Sequence, residues 1–160
     1  NELLELERGM IVFEVGTGSG YHAATIAEIV APEWADPSER GHVYSAEIIG
    51  SLARRAWRNL RRAGYSDRVT VLWCDGSAGL PLRIMADRIL VTAAAPSPPE
   101  PLIKQLKPGG RAVMPIGPPI NILVSQRLVV IEKKEDGSVT SRAVADVAFV
   151  PLRGRYGWRG

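Results

Sequence analysis

At 160 residues, with 46 % hydrophobic and 23 % charged side chains, the sequence is sized to bury one core as a single domain, 1–160. A net charge of +3 and a pI near 9.3 are too mild for a dedicated nucleic-acid binder, and no apolar run reaches the roughly 20 residues of a membrane helix. A single cysteine, Cys74, excludes an internal disulfide and points to a reducing, cytoplasmic setting.

The opening NELLELERG reads as part of a helix rather than as a charged-then-apolar leader. Because it begins on Asn1, a native N-terminal segment is expected to be absent. MIVFEV (Met10 to Val15) is β-rich with no polar alternation until Glu14, as a strand buried on both faces should be. A helix is predicted from Gly20 to Val30. PEWADPSERG (Pro32 to Gly41) reads as a surface insertion before a second strand, HVYSAE (His42 to Glu47). Ser51 to Ala63 is predicted helical, with Leu52, Ala56, Leu60 and Ala63 on one stripe and Gly64 as its stop. Strands follow at Val69 to Trp73 and Asp87 to Thr92. The Pro-rich APSPPEP leads into a short helix, Pro101 to Leu106, and a fifth strand runs from Gly110 to Gly117. Beyond it the helices stop. QRLVVIEKKEDGSVTSRAVADVAFVPL carries two strand-like runs around Asp136-Gly137, a hairpin signal. The pattern predicts an α/β fold: a mostly parallel sheet, helices on both faces, and an antiparallel C-terminal hairpin.

In such a sheet, ligands sit at the carboxyl ends of the strands. The loop Gly16-Thr17-Gly18-Ser19-Gly20 stands at such an end, where small residues let the backbone approach a ligand closely. A P-loop requires GK followed by Ser or Thr, which is missing, and the spacing G-x-G-x-G differs from the dinucleotide fingerprint G-x-G-x-x-G. Charge discriminates further. Glu14 precedes the first glycine and would repel a pyrophosphate, but it suits an ammonium or sulfonium. Glu47 ends the second strand, where a carboxylate can accept both hydroxyls of a ribose. Asp75, beside Gly76, ends the third and can accept from an exocyclic amine. No lysine or arginine accompanies these three acids in their turns. S-adenosylmethionine, with its sulfonium, ammonium, ribose diol and adenine amine, fits better than a nucleoside triphosphate or a dinucleotide.

The stretches VFEVGTGSGYHAA, GHVYSAE, RNLRRAGYSDRVTV, CDGSAGLP, DRILVTAAAPSPPEPLIKQLKPGGRAVMPIG and VAFVPLRGRYGW together resemble the protein-L-isoaspartate O-methyltransferase family, in the family's order. The resemblance implies a Rossmann-like S-adenosylmethionine-dependent methyltransferase with a cofactor site at Glu14, Gly16, Gly18, Gly20, Glu47, Asp75 and Gly76, flanked by the loop's Thr17 and Ser19. It implies a peptide cleft lined by Thr92-Ala93-Ala94 and Val150-Pro151-Leu152. The implied reaction is methylation of the free α-carboxylate of isoaspartyl residues in damaged proteins. That nucleophile has a pKa near 4, is ionised at neutral pH and needs no general base. The family's active-site hydroxyl residue lies in a G-x-G-Q-x-[IV]-S-x-P segment that this sequence lacks, so no catalytic side chain is assigned. A cytoplasmic monomer without metal is expected.

Two alternatives remain at this level. Arg54, Arg55, Arg58, Arg61 and Arg62 share the predicted second helix. They read as a solvated face, or as the contact surface of a nucleic-acid methyltransferase, although no D/N-P-P-Y/F quartet for presenting a base amine is present. The other alternative is a core that binds S-adenosylmethionine without turning it over. Tyr21 and His22 read as helix-start packing or contacts to the cofactor's methionine end. Cys74 reads as a small buried residue.

Overall fold

A computed structural model describes residues 2–120 and 123–159. Seven strands form one sheet in the order β3-β2-β1-β4-β5-β6-β7. β1 (Ile11–Val15), β2 (His42–Glu47), β3 (Val69–Trp73), β4 (Ala86–Val91) and β5 (Leu106–Ile116) are parallel. β6 (Gln126–Lys133) and β7 (Val139–Val147) add an antiparallel hairpin beside β5. The chain winds outward through β1, β2 and β3, then returns to lay β4 against β1. That reversal opens a crevice at the carboxyl ends of β1 and β4.

Alternation along β1 decides what each residue faces. Val12 joins α1 (Tyr21–Val30) and α2 (Gly50–Arg62) in a cluster with Ile26, Val30, Val43, Leu60 and Val69. Phe13 and Val15 point to the opposite face, where Ile89, Met114 and Leu102 of α3 (Glu100–Gln105) pack. Both faces are therefore covered, which is why β1 shows no polar alternation. From Met10 onward the expected strands and helices are all found, with ends shifted by a few residues. β5 starts earlier than expected, directly after α3. It regains its pairing with β4 through an irregularity between Ala86 and Arg88. The hairpin turns at Gly137 (φ +84°), where the Asp136 carboxylate accepts from the Ser138 N–H at 2.9 Å.

The opening segment differs from expectation. Asn1 lies outside the described residues, and only Glu2–Leu4 forms a single 3-10 turn before Glu5 takes φ +50°. So short a segment cannot nucleate an α-helix by itself. It is held instead by packing and by arginines from the sheet. Leu4 is buried against Val113 and Val130, and Arg111 donates to the Leu3 carbonyl at 3.1 Å. The Pro32 to Gly41 segment carries one 3-10 turn, Pro37–Glu39, capped by Asp36. No helix among the described residues is long and apolar enough to cross a membrane.

Candidate functional site

A cavity of about 520 Å³ occupies the crevice, within the range of small-molecule sites. Its walls come from the end of β1 and the glycine loop (Val15, Gly16, Gly18), the end of β2 (Ala46, Glu47), the turn into α2 (Ile48, Ile49, Leu52), and Gly76, Thr92 and Ala93. Val150, Pro151, Leu152 and Arg153 complete them. Most of these are apolar, which suits a purine ring and a thioether-like chain.

The glycines are required for different reasons. Gly16 has φ +100°, and a Cβ there would lie 2.3 Å from Thr92 Oγ1. That hydroxyl donates to the Gly16 carbonyl at 2.8 Å, so the end of β4 locks the loop from below. A Cβ on Gly18 (φ +56°) would meet nothing within 4 Å, so the loop there faces open space. Gly76 lies so close to Val15 and Ala46 that its Cβ would come within 2.7 Å of Val15 Cγ1.

Glu47 accepts from the Gly18 N–H through Oε2 and from the Ile49 N–H through Oε1, both at 3.1 Å. Two backbone donors hold the carboxylate at the cavity wall with acceptor capacity to spare for a diol. Glu14 is placed differently. It stands on the same face of β1 as Val12, so its side chain turns toward α1 and is fully buried. Ser45, its register partner on β2, donates to Oε1, and His22 Nδ1 lies 3.3 Å from Oε2. Thr17 Oγ1 extends this chain, 2.6 Å from Ser45 Oγ. Glu14 and Thr17 thus support the loop from beneath and do not line the cavity. Strand parity is the reason: it gives the cavity wall to Val15. Ser19 and Gly20 also lie outside the lining. Gly20 caps α1 in a left-handed conformation (φ +89°) against Leu60.

Asp75 is engaged by protein. Its Oδ1 accepts from the Ser77 N–H at 3.0 Å and from the Ser77 hydroxyl at 2.6 Å. Its Oδ2 accepts from the Arg155 N–H at 2.8 Å, and Ser77 Oγ accepts from the Tyr156 N–H at 3.0 Å. The C-terminal segment is thereby clasped over the end of β3. Its other anchor is Ala94, which bridges Pro151, gives its N–H to Val150 O and takes Leu152 N–H, each at 2.8 Å. Trp158 Nε1 also donates to the Ala94 carbonyl at 3.0 Å, so that indole is part of the clasp. Cys74 is half-buried. Burial, with Asp75 adding to it, pushes its thiol pKa up, which leaves it a poor nucleophile.

The sequence-predicted residues Gly16, Gly18, Glu47, Gly76, Thr92, Ala93, Val150, Pro151 and Leu152 meet at one cavity, while Ala94 anchors the wall behind them. Two participants were missed. Arg153 lines the cavity, with no ion-pair partner among the described residues, so the site does hold a cation. It arrives from a segment remote in sequence from the three acids, and no local motif announces it. Ser77 is fully buried and joins Asp75 to the tail; its place two residues after an aspartate was the available signal.

The family model described as protein-L-isoaspartate(D-aspartate) O-methyltransferase matches residues 1–157. The chain belongs to this family. It is 55 % identical over 158 residues to the protein-L-isoaspartate O-methyltransferase of Korarchaeum cryptofilum, covering 99 % of this chain and 70 % of that protein. The Hyperthermus butylicus protein of the same name is also 55 % identical, with 99 % of this chain and 64 % of that protein covered. The chain thus spans about two thirds of the length of these curated relatives. A solved protein-L-isoaspartate O-methyltransferase superposes with a TM-score of 0.83 at 31 % identity, over 98 % of this chain and 46 % of that one. A Plasmodium falciparum structure titled as a putative member, solved with S-adenosyl-L-homocysteine, gives 0.76 at 24 % identity, over 92 % and 67 %, and speaks to the fold alone. The fold is that of the Rossmann-like S-adenosylmethionine-dependent methyltransferases.

Proposed function

We propose that this chain methylates the free α-carboxylate of L-isoaspartyl residues with S-adenosylmethionine, the step that starts repair of damaged proteins. The observation that carries the reading is the junction at one cavity of the family's glycine loop, Glu47 and the Val150-to-Arg153 segment. The bound methyl donor supplies an electrophilic methyl on sulfonium. The residues fit that donor: open space at Gly18, a buried carboxylate with spare acceptors at Glu47, and apolar walls for the base.

The chain's own work is positioning. Gly16 locks the loop onto Thr92, Gly18 brings backbone against the ligand, and Glu47 orients its ribose. Glu14, Ser45, Thr17 and His22 keep the loop in shape from below. Ala94 and the Asp75–Ser77 clasp hold Val150, Pro151 and Leu152 as the wall against which an extended peptide lies. Arg153 puts a guanidinium where a substrate carboxylate enters, which favours its ionised form. The carboxylate would attack the methyl in line, its O–C bond forming as the C–S bond breaks and S-adenosylhomocysteine leaves as a neutral thioether, so alignment and exclusion of water, rather than proton transfer, lower the barrier. We further propose that this chain is one methyltransferase domain and that the protein is cytoplasmic and monomeric; sedimentation tests the last of these directly.

The experiment is transfer of labelled methyl from S-adenosylmethionine to matched isoaspartyl and aspartyl peptides, run beside calorimetric titration with S-adenosylhomocysteine. Transfer to the isoaspartyl peptide alone supports the reading. Binding without transfer to either peptide favours the silent cofactor-binding core, and transfer to both removes the repair assignment.

A further inference from the structure

The helix α2 reads GSLARRAWRNLRR: five arginines and no acid. The whole chain has a net charge of +3, so everything outside this helix is net acidic and the basic excess of the protein sits here. All five arginines are exposed, and among the described residues none forms an ion pair. Arg54, Arg58 and Arg62 follow one another at i, i+4, and Arg55, Arg58 and Arg61 at i, i+3. Like charges at these spacings weaken a helix, and no glutamate or aspartate offsets them. Arg61 and Arg62 lie in the last turn and complement the helix dipole, but Arg54, Arg55 and Arg58 do not, and among the described residues they gain no ion pair in return.

Two indoles stand on the same edge. Trp73 ends β3, the outermost strand, and is 72 % exposed; Trp57 on α2 is 49 % exposed. They line a recess of about 210 Å³ with Gly50, Ala53, Arg54 and Val71. Neither ring hangs loose. Trp73 Nε1 donates to the Ile48 carbonyl at 3.2 Å, and its ring lies on Gly50, where a Cβ would come within 2.8 Å. The Arg61 guanidinium lies 5.2 Å from the Trp57 ring centre. No residue lines both this recess and the cofactor cavity.

We propose that the α2–β3 edge is a binding site for single-stranded nucleic acid, with bases stacked on Trp57 and Trp73 and phosphates on the arginines of α2. Aromatic faces beside unpaired guanidinium groups are what a base-and-phosphate chain requires. An acidic peptide would use the charge but would leave two oriented indoles without a role. The recess and the methyl-transfer cavity share no lining residue, so failure of this proposal is distinguishable from failure of the proposed reaction.

The test uses a fluorescein-labelled oligothymidylate of about 12 nucleotides, followed by anisotropy from about 50 to 200 mM salt. Binding is expected at low salt. The slope of log K against log salt should reach about −3.5 if all five arginines meet phosphates. The W57A/W73A variant, which loses two stacks of about 5- to 150-fold each, should bind at least about 30-fold more weakly with the slope retained, since stacking is lost and charge is not. The R54E/R58E variant should flatten the slope. Each variant is checked for a thermal transition like that of the parent, so that loss of fold is not read as loss of the site. No binding at 50 mM salt would overturn the proposal. So would an unchanged affinity in W57A/W73A, or polyglutamate competing as well as unlabelled oligothymidylate; the latter result would reassign the surface to acidic proteins.

Discussion

Gly16 and Gly18 both have positive φ, yet alanine at the two positions should act on different properties. At Gly16, φ is +100°, outside the left-handed region that non-glycine residues tolerate, and strain of this kind costs about 1–3 kcal/mol. The new Cβ would also fall 2.3 Å from Thr92 Oγ1, forcing that hydroxyl away from the carbonyls of Val15 and Gly16. Loss of those hydrogen bonds adds about 1 kcal/mol, so Gly16→Ala should destabilise by about 2–4 kcal/mol in all. For a chain of this size that lowers the melting temperature by roughly 5–15 °C. At Gly18, φ is +56° and a Cβ meets nothing within 4 Å, so Gly18→Ala costs only the left-handed penalty of about 1 kcal/mol. Its methyl instead projects into the open side of the cavity and should weaken S-adenosylhomocysteine at least tenfold. Differential scanning calorimetry and isothermal titration of the two variants separate these effects. Equal melting temperatures for the two variants, or undiminished affinity in Gly18→Ala, would refute the assignment of one glycine to the lock and the other to the ligand.

Ser77→Ala removes the hydroxyl that links Asp75 to the tail and should cost about 1–3 kcal/mol. Amide exchange at Arg155 and Tyr156 should quicken far more than at Thr92; uniform acceleration would mean global loosening instead. Arg68 is buried, donates to the Ala31 carbonyl and to Glu28 (3.2 Å), and lies over the Tyr65 ring. Arg68→Ala should lower stability by about 2–4 kcal/mol in urea unfolding, a loss beyond what an exposed ion pair gives. His42 starts β2 with Nε2 at 2.7 Å from Thr70 Oγ1; burial lowers its pKa, with Asp67 opposing. The unfolded chain therefore binds more protons below about pH 6.5, and stability is lost as pH falls through that value but not above it. His42→Gln should show a shallower fall in melting temperature between about pH 6.5 and 5; parallel curves for parent and variant would count against this linkage.

The elements were legible in the sequence because pattern and environment agree along most of the chain. β1 is apolar but for Glu14 because helices cover both faces, and Asp136-Gly137 turns the hairpin because its glycine supplies the positive φ. The NELLELERG segment misled because helix-like composition over so few residues yields to tertiary contacts, here Leu4 in its pocket and Arg111 on the Leu3 carbonyl. The site was legible to the level of strand ends, and parity limited it there. In sequence each of three acids at three strand ends reads as a contact to a different part of the ligand, whereas only Glu47 lines the cavity. Glu47, at the last position of β2, reaches the glycine loop and the cavity wall. Glu14, one residue short of the end of β1, is turned toward α1 and shores up the loop. Asp75, past the end of β3, is occupied by Ser77 and the tail. The wall of the cavity nearest the tail was hidden for another reason: it is made by residues some sixty to eighty positions from those they touch. Asp75 and Ser77 on one side and Ala94 on the other fix Val150 to Arg153 in place. A substitution at Ser77, fully buried and outside the lining, therefore reaches the peptide side of the site through backbone hydrogen bonds, without touching a ligand.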